Sequence, residues 1–152
     1  MLKNVLTAYV RRNPTIGYCQ GLNYIVGHLL RYTGEEEAFW MLCFIIERVL
    51  PLDHYSCMIG ALVDQKIFAR LIRKTLPKVW GVLKKYRVNP HMISVQWVVC
   101  LFTRNIQPEV TDGIWDHWFL RGSKIFFKAG LALLLLLEKN LTQCTSFCNY
   151  LL

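Results

Sequence analysis

All five prolines of this 152-residue chain stand between stretches in which apolar residues recur at helical spacing. That arrangement leaves little room for any fold but a set of helices joined by short turns. Leu2, Val5, Leu6, Tyr9 and Val10 form the first stretch, closed before Pro14. Leu22, Ile25, Val26, Leu29 and Leu30 form the second, with Gly34 expected as its C-terminal stop. Glu35, Glu36 and Glu37 favour the positive end of a third helix, and Ala38 to Leu50, apolar nearly all round, makes that helix central until Pro51 ends it. Leu52 to Ser56 reads as a short loop. Ile59, Leu62, Val63, Ile67, Leu71 and Ile72 then carry a helix to Pro77.

A short helix is expected over Pro77 to Tyr86 and a turn over Arg87 to His91. Ser94 is expected to cap a helix through Trp97, Val98, Leu101 and Phe102, and Pro108 to open another through Val110, Ile114, Trp115, Trp118 and Phe119. Gly122 marks a break, and Ser123 is the expected cap of a long apolar helix to Glu138. Leu141 to Leu152 carries no clear pattern. With no fixed-period repeat and no low-complexity linker, residues 1–152 read as a single all-α domain.

An apolar content of 54% supports a substantial core and excludes a disordered chain. The net charge of +8 favours an anionic partner, but the basic residues occur as pairs and singles, such as Arg11-Arg12, Arg73-Lys74 and Lys84-Lys85. No nucleic-acid module signature accompanies them, so a solvated helical surface is the reading and no nucleic-acid partner is expected. The six cysteines lie mostly in apolar, helix-like segments without a signal peptide, which reads as reduced and buried. Cys144 and Cys148 lack a second Cys/His pair that would complete a zinc site, so no metal is expected. The most apolar run, Ala129 to Leu137, is about nine residues against the roughly 20 a spanning helix needs, and reads as a buried core helix.

The polar interruption in this apolar pattern is Asn13-Pro14-Thr15-Ile16-Gly17-Tyr18-Cys19-Gln20-Gly21-Leu22-Asn23-Tyr24. A glutamine has no useful pKa, yet its amide can accept from and donate to a water and a phosphate oxygen together. That is positioning chemistry of the kind used in GTP hydrolysis. Gln20 stands near a predicted helix N-terminus, whose N–H groups and partial positive charge suit developing negative charge. The competing structural role is a helix-start residue whose amide satisfies nearby backbone groups.

These residues also carry a family resemblance. Tyr18-Cys19-Gln20-Gly21, with Asn13-Pro14 before and Asn23-Tyr24 after, is similar to the second signature motif of the TBC domain, the GTPase-activating domain for Rab small GTPases. The likeness continues through Glu36 to Trp40, Trp97 to Phe102, Ile114-Trp115-Asp116 and Gly122-Ser123, so it covers most of the chain. The resemblance implies a glutamine finger at Gln20, with Tyr18, Gly21 and Asn23 shaping or supporting its loop. It also implies a Rab partner that brings the GTP and magnesium, no cofactor of the chain's own, a role in vesicle trafficking, and a cytoplasmic place with peripheral association to organelle membranes. Such a protein is a GTPase activator rather than an enzyme turning over its own substrate.

One departure limits that reading. The family pairs the glutamine with an upstream arginine, in a motif of isoleucine, aspartate and then arginine-threonine, and nothing between Met1 and Val10 resembles it. The chain therefore reads as a partial domain, weak or inactive alone, since an arginine finger is worth ~10³ to ~10⁵ in rate. Arg11 and Arg12 lie close to the loop, but basic residues at that place are ordinary in the family and are not its finger. The alternative is a non-catalytic Rab-binding or helical interaction module. A third reading, a basic binder of nucleic acid or membrane, requires steep salt dependence and indifference to Gln20. Helices that lack their packing partners are expected to leave apolar surface exposed and to favour self-association, although no defined oligomer is indicated. Trp40, Trp97, Trp115 and Trp118 read as core residues. Asp116 reads either as a buried partner for a basic group or as a surface acid.

Overall fold

In the computed structural model, residues 1–51 and 53–143 are described. They form α1 (Leu2–Arg12), α2 (Leu22–Leu29), α3 (Glu35–Phe44), a π-helical turn (Ile45–Val49), α4 (Asp53–Ser56) and α5 (Ile59–Thr75). The chain continues through α6 (Pro77–Lys85), α7 (Pro90–Val99), α8 (Pro108–Arg121) and α9 (Lys124–Gln143). No strand is present among the described residues, and no helix among them is long and apolar enough to cross a membrane.

Proline starts helices here as well as separating them. Pro77, Pro90 and Pro108 each stand at the first turn of a helix, where the missing N–H would have had no intrahelical partner. This shifts one predicted boundary. α7 begins at Pro90, inside the expected turn, and its cap is Asn89, whose side chain accepts from the His91 N–H at 3.0 Å. Ser94 is therefore not a cap: it is buried in mid-helix and its hydroxyl donates to the Pro90 carbonyl at 3.2 Å.

Gly34 also changes role. α2 ends at Leu29, the chain turns through residues 30–33, and Gly34 is the N-cap of α3 with ordinary extended backbone. The stretch expected as a loop between Pro51 and Ile59 contains the one-turn helix α4; Leu52, just before it, lies outside the described residues. The central helix keeps its length, but α3 gives way to the π turn, closed by Leu50 N–H donating to the Ile45 carbonyl at 3.0 Å.

Two cores hold these elements. α1, α2, α3, the π turn and α8 meet around Tyr9, Leu22, Ile25, Leu42, Ile45 and Trp118, all essentially closed to solvent. α5, α6 and α9 meet around Phe68, Ile72, Val79, Leu83 and Leu134. α7 packs on α5 and supplies Val99, which joins the first core, and Trp97, which borders the second.

Four expectations about burial are corrected. Trp40 is 53% exposed, and instead of packing in the core it lies under Arg12, whose guanidinium carbon is 5.5 Å from the ring centroid. Phe44, on the supposedly central helix, is also half exposed. Cys57 is exposed, although Cys43 and Cys100 are buried as expected; Cys144 and Cys148 lie outside the described residues. α9 is a surface helix, not a buried one. It packs through Gly130 and Leu134 and leaves Leu135, Leu136 and Leu137 in solvent.

Candidate functional site

The polar interruption folds as two consecutive turns. Asn13 closes the first: its carbonyl accepts from Gly17 N–H at 2.9 Å and its side-chain oxygen accepts from Ile16 N–H at 3.3 Å. Gly17 takes a positive φ of 61° there. The second turn runs from Cys19 to Leu22, closed by the Leu22 N–H donating to the Cys19 carbonyl at 3.2 Å. Gln20 and Gly21 occupy its two central positions. The second of these carries φ 119°, a conformation that such turns reserve for glycine.

Gly21 is needed for space as well as for conformation. A Cβ there would stand 2.9 Å from both the Val99 carbonyl oxygen and the Val99 Cγ1. The Val99 carbonyl is itself held, because the buried Tyr55 hydroxyl donates to it at 2.6 Å. The turn is thus seated directly on the C-terminal end of α7. Leu22, Ile25 and Val26, all fully buried, anchor the start of α2 behind it.

Asn23 locks the turn from the helix side. Its side-chain oxygen accepts from the Gly21 N–H at 3.3 Å, and the Tyr18 hydroxyl reaches the same oxygen at 3.5 Å. Tyr18 is otherwise an exposed ring. The four residues singled out in the sequence are therefore brought together around one tight turn, with Gln20 and Gly21 inside it and Tyr18 and Asn23 at its two ends. Gln20 stands exposed at its tip, and its side-chain amide makes no hydrogen bond among the described residues. The donors expected to be open at the start of α2 are largely used internally, by Asn23 and by the Cys19 carbonyl.

The two arginines beside the loop differ. Arg12 is engaged by Glu47, with Nε and Nη2 donating to its two carboxylate oxygens at 3.3 and 3.2 Å, and this carboxylate holds the guanidinium in its charged form. Glu47 lies in the π turn and also accepts from the Asn13 side chain at 3.4 Å, which ties the end of α1 to the first turn of the loop. Arg11 is exposed.

Sequence reasoning missed Arg104. It sits after α7 in a loop where Leu101, Phe102 and Asn105 all have positive φ, and its guanidinium carbon lies 4.9 Å from the centroid of Tyr24, in the first turn of α2. Only its place just past the Trp97 to Phe102 stretch hinted at it. A second missed cluster surrounds His28, buried in α2. Its Nε2 is 3.0 Å from Asp112, which also accepts from the Tyr32 hydroxyl at 2.6 Å. Burial outweighs Asp112 and holds the His28 imidazole below its usual range. Asp116, by contrast, is exposed on α8 and is the surface acid of the two readings.

Cys19 forms no nucleophilic pair among the described residues. Burial pushes its thiol up, and its nearest polar neighbours are the Gln20 carbonyl at 3.6 Å and the Met58 sulfur at 3.9 Å.

Comparison with known proteins bears on this site. A family model described as the Rab-GTPase-TBC domain matches residues 1–142. Human "TBC1 domain family member 2B" is 38% identical over 143 residues, covering 93% of this chain and 15% of that protein. Human "Growth hormone-regulated TBC protein 1" is 39% identical over 147 residues, covering 95% of this chain and 44% of that one. Among solved structures, the Chlamydomonas flagellar RabGAP TBC domain superposes with a TM-score of 0.84 at 31% identity, over 94% of this chain and 48% of that one. The chain thus spans less than half the length of these relatives.

Proposed function

The chain belongs to the Rab-GTPase-TBC domain family, and from that premise we propose that it contacts a Rab-type GTPase through the Gln20 turn and contributes the glutamine of a GTPase-activating site. The observation that carries this is the state of Gln20. An amide left without partners, on a turn fixed by Gly21 against Val99 and by Asn23, is held ready to orient a water beside a phosphate. GTP and magnesium belong to the GTPase. In this reading Tyr18 borders the contact and Asn23 holds the turn, while the chain works at the membranes where its GTPase is found.

The position of Arg12 supports a weak activator. Its guanidinium is committed to Glu47 and Trp40, so it is not free to meet a transferring phosphoryl group without breaking both contacts. That same observation favours a second reading, a module that binds the GTPase without accelerating it.

Single-turnover GTP hydrolysis by a panel of Rab proteins, with and without the chain and its Gln20→Ala variant, tests both. Acceleration by the parent chain that disappears in the variant, with the unfolding midpoint unchanged, is the expected result for the glutamine role. Binding without acceleration by either protein establishes the second reading. Equal acceleration by both proteins refutes the role of Gln20.

A further inference from the structure

A cavity of about 140 Å³ lies between α4, α5, α7 and the start of α9. Phe68, Trp97, Phe102, Phe126 and Phe127 form one part of its lining, and Asp64, Ser94, Ser123 and Lys124 line it as well. Phe102 stacks between Trp97 and Phe126, with centroid distances of 5.4 and 5.6 Å, and Phe68 meets Trp97 edge-on. Apolar cavities of about this size accept a single benzene-sized guest.

Two fully buried polar side chains line this space, His54 and Ser94. His54 is 1% exposed, and its Nδ1 has no hydrogen-bond partner among the described residues. Its other nitrogen fixes the tautomer: Nε2 lies 3.4 Å from the Val98 carbonyl, which can only accept, so Nε2 carries the proton and Nδ1 presents a lone pair. Burial keeps the ring neutral by lowering its proton affinity. Across from Nδ1, at 3.8 Å, stands an Asp64 carboxylate oxygen, too far for a hydrogen bond. Two acceptors therefore face each other with no donor between them. The nearby Ser94 hydroxyl does not fill the gap, because it donates to Pro90.

We propose that this cavity is a binding site for a small phenol-class molecule, with its hydroxyl donating to His54 Nδ1 beside Asp64 and its ring lying among Phe68, Trp97, Phe102 and Phe126. A phenolic O–H is a stronger donor than an aliphatic one, and an aromatic ring matches the stacked walls in shape and in edge-to-face geometry. A water donating to both His54 Nδ1 and Asp64 would satisfy these acceptors but leave the aromatic part of the cavity unfilled. Successive carbonyls of α7 relate the site to the Gln20 turn: that of Val98 orients His54, and that of Val99 is the one against which Gly21 packs.

Calorimetric titration of the chain with p-cresol and, separately, with toluene tests this without any GTPase present. The expected result is saturable one-site binding of p-cresol and about tenfold weaker binding of toluene, which has the same shape without the donor. His54→Phe is expected to bring the p-cresol affinity down to that of toluene. Should that variant fail to fold, the Nδ1 nitrogen resonance of His54 in the parent chain supplies the readout, and it is expected to shift on adding p-cresol. Absence of saturable p-cresol binding, equal affinity for the two compounds, or an unmoved His54 resonance overturns the proposal.

Discussion

Gly21 is the residue on which the Gln20 turn depends most directly. Its positive φ and the 2.9 Å approach to Val99 act together, so any side chain there meets both backbone strain and a carbonyl held by Tyr55. Gly21→Ala is expected to destabilise the chain by roughly 2–4 kcal/mol, read as a lower denaturant midpoint at unchanged slope. Gln20→Ala, one position earlier, should leave that midpoint in place because the exposed amide holds nothing. The contrast separates two residues that the sequence placed in one motif: one supports the turn and the other is carried by it.

At the level of the helix, α9 shows how a uniformly apolar stretch can still have a packed side and a wet side. Gly130 and Leu134, one turn apart, form its buried stripe, and Gly130 permits the close approach of the Phe68 ring. Leu136, two residues on, is 79% exposed. Leu134→Ala is expected to cost about 2–5 kcal/mol, whereas Leu136→Lys should change stability by no more than ~0.5 kcal/mol. Equal effects of the two on the unfolding midpoint would contradict this orientation of the helix. Leu136→Lys should also lower any concentration-dependent self-association seen by sedimentation, since Leu135 to Leu137 form a continuous exposed apolar run.

For the molecule as a whole, the two buried histidines set the direction of acid sensitivity. Burial lowers His28 and His54 from their ordinary value of 6.5, so between the folded and unfolded values the unfolded chain binds more protons. Their contribution is fully present above about pH 6.5 and is lost as pH falls through the lowered folded values. Asp64, raised by burial above its ordinary 3.8, acts with the opposite sign between 3.8 and its raised folded value. Thermal unfolding at pH 7 and pH 5.5 checks this. Each ~1 kcal/mol lost appears as a fall of roughly 2–4 °C in Tm at this chain length. A midpoint that stays level or rises on acidification would contradict the lowered values.

The helical class, most helix boundaries and the polar interruption that holds Tyr18, Gln20, Gly21 and Asn23 between two helices were legible in the sequence, because periodicity, proline and glycine act over a few residues of chain. Burial was not. Trp40 and Trp118 sit in similar helical patterns, yet Trp40 lies under Arg12 at the surface and Trp118 fills the first core. Which face a helix buries depends on the element that arrives beside it, often from far along the chain. For the same reason only the tertiary structure placed Arg104 against Tyr24, tied Arg12 to Glu47 and set the unpaired His54 nitrogen across from Asp64. The sequence by itself determined that a glutamine would stand in a polar interruption between two helices, near the start of the second. Packing of the Gln20 turn against Val99 decided that its amide would face solvent with no partner among the described residues.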